Sequence, residues 1–269
     1  MMRVLLLNNL PAPYCLPLFR RLGEHDGWAL TICFATEWRP DLGWAERLLD
    51  EDLATRTIYL DREPSGWTRI LGDRMAAALA LLRLLLSERP DYLICYGYTL
   101  PPQITLLLWA LLTGTPFGLT GDANIFCDHP SGMRRWLKRL WLGILTRRAA
   151  AIFIIGTANL RFWERYGAES ERLFPVPFAV DNDYFERESR ACRDAALTLR
   201  DKYGLTGKVV FLSVGRLVER KRTALLIEAI HRLGDDRARA PGRQVRARGR
   251  AFAASSRACH LGSRRCSWR

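Results

Sequence analysis

None of the seven cysteines in this 269-residue chain belongs to a Cys-x-x-Cys pair. Their positions (15, 33, 95, 127, 192, 259 and 266) fit neither a disulfide framework nor a zinc site, and a reducing, cytoplasmic setting is the simple expectation. The four histidines form no His-Glu-x-x-His pair, which leaves no zinc-hydrolase pattern. No Gly-x-Gly-x-x-Gly occurs, so the dinucleotide fingerprint is absent. Long apolar runs are also missing. Residues 92–121 carry no charge, yet Pro101-Pro102-Gln103 and Thr113-Gly114-Thr115-Pro116 divide them and leave only Ile104–Leu112. A membrane span needs about 20 residues, so strand, buried helix, strand is the better reading. The start of the chain, Met1–Asn9, has too short an apolar run for a signal peptide and reads as a first buried strand.

What is present is an ordinary globular composition, 49% hydrophobic and 26% charged, which excludes collagen-like, mucin-like and wholly disordered classes. The formal net charge is +13, and much of it is local: residues 234–269 hold ten Arg against Asp235 and Asp236. Strand-like segments at Val4–Leu7, Trp28–Ala35, Thr57–Leu60, Tyr92–Tyr96, Phe117–Thr120, Ala151–Ile155 and Arg172–Pro177 alternate with helical ones. The helices are expected near Pro17–Glu24, Trp67–Ser87, Pro102–Leu112, Gly132–Arg148 and Thr157–Tyr166. Buried strands alternating with helices predict an α/β fold with a mainly parallel sheet covered on both faces. A linker around Val180–Ala195 leads to a second unit: a helix near Ala195–Tyr203, a strand Val209–Val214, and a helix Arg222–Leu233. So small a unit has little apolar partner surface and is expected to stay partly exposed. Beyond residue 233 hydrophobic periodicity stops.

Ligands of open parallel sheets bind beyond the carboxyl ends of the strands, which singles out two loops. The first is Asn8-Asn9-Leu10-Pro11-Ala12-Pro13-Tyr14; the second is Val214-Gly215-Arg216-Leu217-Val218-Glu219-Arg220-Lys221. In the second, Gly215 permits close backbone approach, and Arg216 and Lys221 flank a helix start, which suits a diphosphate. Solvated loop cations are the bland alternative.

The segment Val209–Leu217, then Lys221, then Leu225–Ile230 resembles the donor site of family 4 glycosyltransferases. The opening Asn9-x-Pro11-x-Pro13-Tyr14…Phe19, the element Thr120-Gly121-Asp122-Ala123-Asn124, and the stretches Ile155–Asn159 and Phe174–Phe185 resemble further signatures of that family, in order, over residues 3–233. The resemblance implies a GT-B-like architecture: a complete N-terminal Rossmann-like parallel-sheet domain plus an incomplete second Rossmann-like domain. It places the acceptor-side domain at 1–185, the first part of the donor domain at 186–233, and a basic, disordered tail outside the family pattern at 234–269. It further implies transfer of a sugar from a UDP- or GDP-linked donor to a glycan or lipid-linked acceptor, with retention, no cofactor and no protein-held metal. By carry-over, Gly215, Arg216 and Lys221 would bind the donor diphosphate, and the loop bearing Asn9, Pro11, Pro13 and Tyr14 would face the acceptor. Asp122 is the candidate base or polar positioner, with a helix-cap or turn role as its alternative.

Two departures from the pattern stand out. Arg222 follows the lysine where the family usually has Gly, and nothing in 234–269 supplies the family's Glu-x7-Glu element, so the enzyme is expected to be impaired. A non-catalytic acceptor- or partner-binding module of the same ancestry is the rival reading. Asp181-Asn182-Asp183 has the look of a metal motif, but turn chemistry explains it without metal. In the helix 132–148 the apolar residues Met133, Trp136, Leu137, Leu140, Trp141, Ile144 and Leu145 recur at helical spacing beside Arg134, Arg135, Lys138 and Arg139. Either this stripe packs on the sheet, or it lies on an anionic membrane surface at the inner face, a peripheral contact. The arginine-rich tail has no motif for specific nucleic-acid binding and reads as a chain that has left its frame or lost its continuation.

Overall fold

A computed structural model describes residues 1–12, 14–35, 55–60, 67–207, 209–211, 213 and 221–239. The chain divides into two compact units, Met1–Ala191 and Cys192–Arg269. In the first, seven strands form one sheet: β1 Met2–Asn8, β2 Trp28–Phe34, β3 Arg56–Tyr59, β4 Tyr92–Tyr96, β5 Phe117–Thr120, β6 Ala151–Ile154 and β7 Leu173–Pro175. Their order is β3-β2-β1-β4-β5-β6-β7, and every neighbouring pair is parallel. Helices α1 Leu16–Gly23, α2 Trp67–Glu88, α3 Pro101–Thr113, α4 Gly132–Arg148 and α5 Thr157–Arg165 stand between strands, and α6 Asn182–Ala191 follows β7. The expected Rossmann-like sheet is present, with element ends within a few residues of those read from the sequence.

Side chains alternate across the sheet with period two, so β1 serves two cores. Leu5 and Leu7 join Leu81 and Leu85 of α2, Leu106 and Leu107 of α3, Leu145 of α4, and Phe162 and Trp163 of α5. Val4 and Leu6 face the other way and pack with Leu30, Ile32 and Phe34 of β2 and with Leu16 and Phe19 of α1. A strand buried on both faces must be apolar throughout, which is why the Val-Leu-Leu-Leu run carries no alternation. At the amino end of the sheet Arg3 grips Asp91 with its side chain and its backbone N–H. Those bonds hold the Asp91 carboxyl down at about 2.

The segment expected to be a linker is partly helical. Asp181 accepts a 2.8 Å hydrogen bond from the Tyr184 N–H through its carboxylate, which caps the start of α6, the chemistry expected of an Asp at that position. The second unit contains α7 Arg193–Lys202 and α8 Thr223–Arg239, and none of its described side chains is buried. The expected strand is not formed by Val209–Phe211 or Ser213, while 212 and 214–220 lie outside the described residues. A strand needs a neighbour to complete its backbone hydrogen bonds, and no described strand of this unit supplies one. Helix α8 runs past the expected stop at residue 233 to Arg239; the rest of the tail, 240–269, lies outside the described residues.

Candidate functional site

The strand order reverses direction between β1 and β4, so the crevice at their carboxyl ends is the place where such a sheet receives a ligand. Three loops meet there, after β1, β4 and β5. Asn9 sits in the first, Gly97 and Tyr98 in the second, Gly121 and Asp122 in the third. What ties the first two together is Gln103, in the first turn of α3 and only 1% exposed. Its Nε2 donates to Asn9 Oδ1 and to the Tyr96 carbonyl, both at 2.6 Å. Its Oε1 accepts from the backbone N–H groups of Thr99 at 2.8 Å and Leu100 at 2.9 Å. All four hydrogen-bonding positions of the amide are used, as a buried amide requires. Gly97 makes room for it: a Cβ there would lie 2.5 Å from Gln103 Nε2, and the backbone φ of +101° is one that favours glycine.

The third loop is fixed by Asn159 of α5. Its Nδ2 donates to the carbonyls of Gly121 at 2.9 Å and Ala123 at 2.5 Å, and its Oδ1 accepts from Ile155 N–H at 3.1 Å. Asp122 remains exposed between these anchors; it caps no helix. Its charge acts on both Tyr14 and Tyr98. Burial first, then neighbouring negative groups including Asp122, push the Tyr14 hydroxyl upward. Burial, then Asp128 and Asp122, push Tyr98 up to about 12. Tyr14 stays half exposed and meets Phe178 edge-on, ring centres 6.5 Å apart. Pro11 is buried, and Pro13 lies outside the described residues.

Beside the crevice, a cavity of about 710 Å³ opens between the β4 loop and α4, with Tyr98, Ile104, Arg134, Leu137, Lys138 and Trp141 among its walls. Asp128 also lines it and forms an ion pair with Lys138. Lys138 Nζ donates to Asp128 at 2.5 Å and Tyr166 donates its hydroxyl to the other Asp128 oxygen at 2.7 Å. The ammonium also lies over the rings of Phe162, Tyr166 and Tyr98, 5.1 to 6.0 Å from their centres. Burial by itself would raise the Asp128 carboxyl, but the hydrogen bonds from Lys138 and Tyr166 outweigh it and the pKa falls below the ordinary value. Burial and the bond to Asp128 drive the Tyr166 hydroxyl well above its usual range. Asp128, Tyr166 and Gln103 escape a sequence reading because the contacts that define them join residues 10, 38 and 94 positions apart.

Of the expected donor-site residues, Gly215 and Arg216 lie outside the described residues, and Lys221 is exposed. Arg222, the residue that stands where the family pattern has glycine, adopts φ +52°. That is the left-handed region, and a non-glycine residue there carries a conformational cost.

The stripe on α4 is divided by the structure. Leu142 and Leu145 are buried and Trp141 is half-buried, donating its indole N–H to the Tyr98 carbonyl at 3.1 Å. Met133, Trp136, Leu137, Leu140 and Ile144 are exposed, so the expectation that the whole stripe packs on the sheet does not hold. A 3.6-residue helix cannot turn all seven apolar residues toward one sheet, and the sheet takes only the later turns. No helix among the described residues is long and apolar enough to cross a membrane.

A seven-stranded parallel sheet in Rossmann order, with its loops gathered at the switch point, defines a Rossmann-like α/β protein. The model of the glycosyl transferase 4-like domain matches residues 11–179, and the chain belongs to that family. Among solved structures, HepE of Anabaena bound to UDP-glucose superposes with a TM-score of 0.60 at 14% identity. The same protein bound to UDP and glucose gives 0.59, also at 14% identity. Each match covers 86% of this chain and 58% of HepE, so the chain spans well under two thirds of that protein's length. At this identity the likeness is one of fold. No match was found among curated proteins.

Proposed function

We propose that this chain carries the acceptor-side domain of a retaining glycosyltransferase, over residues 1–185, and the beginning of its donor domain, over 186–233. In this reading a sugar passes from a UDP- or GDP-linked donor to a glycan or lipid-linked acceptor, with no metal held by the protein. The observation that carries it is the family match laid over the crevice, where Gln103 fixes the Asn9 loop against β4 and Asn159 fixes the Asp122 loop. In this reading the loop bearing Asn9, Pro11, Pro13 and Tyr14 serves the acceptor side, with Asp122 as base or positioner. HepE was crystallised with UDP-glucose, which supports a nucleotide-sugar donor.

Glycosyl transfer places developing negative charge on the departing diphosphate, and fixed cations stabilise that charge in the transition state. Arg216 and Lys221, with Gly215 giving close backbone approach, take that role. Two such charge-assisted contacts contribute about 1.5–3 kcal/mol each, against the roughly 8–23 kcal/mol by which enzymes lower barriers. The chain alone therefore turns over slowly or not at all, since residues 234–269 offer no Glu-x7-Glu. The exposed apolar part of α4 supports a peripheral contact with the anionic inner face of a membrane, where a lipid-linked acceptor would be met.

Calorimetry with UDP and GDP, followed by a labelled-sugar transfer assay on glycan and lipid-linked acceptors, tests the reading. Diphosphate binding that drops about tenfold or more in Arg216→Ala or Lys221→Ala is expected. Measurable turnover supports the enzyme, and acceptor binding without turnover supports the non-catalytic module. Binding of neither nucleotide nor acceptor refutes both.

A further inference from the structure

On the side of α4 away from the 710 Å³ cavity, a second depression of about 400 Å³ lies between α4 and the end of α5. Three arginines line it, Arg139 and Arg147 from α4 and Arg165 from α5, together with a single carboxylate, Glu164, and the apolar Trp136 and Leu140. Some exposed arginines elsewhere on this protein have acidic partners: Arg3 with Asp91, Arg56 with Glu88, Arg190 with Glu186, Arg232 with Glu228. Arg139, Arg147 and Arg165 form no ion pair among the described residues. Helix α4 contains no acid in any of its 17 residues. Like charges gathered around one depression repel, and the arrangement is relieved when an anion enters it.

We infer that this depression is a binding site for the phosphate of an anionic phospholipid headgroup. The inference rests on the membrane contact proposed above and names the chemistry that contact recognises. Guanidinium groups suit phosphate because they donate paired hydrogen bonds in a planar fork. What selects a lipid over a soluble phosphate is the neighbouring surface. Met133, Leu137, Leu140 and Ile144, at steps of four, three and four, share one helix face and are all exposed, with Trp136 beside them. A soluble anion would leave that ridge in water, whereas a bilayer receives the ridge among its acyl chains and brings the phosphate level with the arginines. Trp at the boundary of an apolar ridge is the side chain suited to the headgroup layer.

The test is co-sedimentation of the full chain with vesicles of phosphatidylcholine alone or mixed with phosphatidylglycerol. The triple variant Arg139→Gln/Arg147→Gln/Arg165→Gln is compared with the wild type, and the corresponding Lys variant is the charge-retaining control. Thermal melting verifies that each variant is folded. Each cation near an anionic surface strengthens binding about fivefold, so the Gln variant should bind phosphatidylglycerol vesicles roughly a hundredfold more weakly. The Lys variant should retain most of the affinity. Brominated lipid should quench fluorescence that disappears in Trp136→Phe, which reports on α4 even if the basic tail also touches the vesicle. Equal binding by wild type and Gln variant, with Trp136 quenched, would overturn the phosphate site and leave the membrane contact standing. Absence of Trp136 quenching in the wild type would overturn both. Binding of soluble glycerol phosphate at equal strength in the absence of vesicles, lost in the Gln variant, would replace the lipid with a free phosphate ligand and so overturn the inference as stated.

Discussion

Gln103 and Gly97 act as one device. The amide closes the β1 loop on the β4 loop only because no Cβ stands where its nitrogen must lie. Gly97→Ala would have to shift a buried amide with all of its bonds made, and also adopt an unfavourable φ. A loss of about 2–4 kcal/mol in chemical denaturation is expected, from strain and broken bonds together. A loss below about 0.5 kcal/mol, the range of ordinary surface changes, would show that the clasp is loose. Asp128 makes a different kind of prediction. Its folded pKa is depressed, so the stability it contributes is fully present above the ordinary carboxylate value near 4 and is lost as pH falls through the folded value. Asp128→Asn should therefore cost about 1.5–3 kcal/mol at pH 7 and flatten the acid limb of the stability profile. An unchanged acid limb would mean that the carboxylate is not the group being titrated. Neither residue is singled out by the sequence reading, because a buried Gln or Asp declares itself only once its partners are folded around it. Asp181 was expected to serve turn chemistry; its carboxylate instead accepts from the Tyr184 N–H at the start of α6.

Among the elements, the strands β1–β7 and helices α1–α5 were legible because apolar runs end at Pro, Gly or polar turns. Pro101-Pro102 opens α3, and Gly114, at φ +73°, closes it. Helix α6 was hidden because α6 has no buried face to impose periodicity. Helix α4 shows the limit of periodicity most clearly. Seven apolar residues at three- and four-residue steps define a stripe, but spacing does not say how much of the stripe the core accepts. The structure buries Leu145 and leaves Leu140 exposed. Leu145→Ala should cost about 2–5 kcal/mol by emptying core volume, and Leu140→Ala should stay within about 0.5 kcal/mol. Similar costs at both positions in urea denaturation would contradict this division of the helix.

At the scale of the molecule, strand order was not legible. Alternating strands and helices predict a parallel sheet, but which strand follows which in space depends on the direction of each crossover. It is the run β1-β4-β5 within that order that puts Asn9, Gly97 and Asp122 at one crevice. The loop after β1 could be singled out nonetheless, and it lies at the switch point because the first strand of such a sheet borders it. The donor side drew on family resemblance, and its Gly215 and Arg216 fall outside the described residues. Arg222 links the two: the family glycine fits a backbone that this chain enters with φ +52°.

The most direct test of the acceptor-side assignment is binding of the full chain to an array of glycans and lipid-linked sugars, repeated with folded Tyr14→Ala and Asp122→Ala variants. The account predicts that the wild type retains at least one sugar-bearing acceptor and that each variant binds it about tenfold more weakly, the equivalent of one hydrogen bond or ring contact. Retention of no acceptor by the wild type, or undiminished retention by both variants, would contradict it.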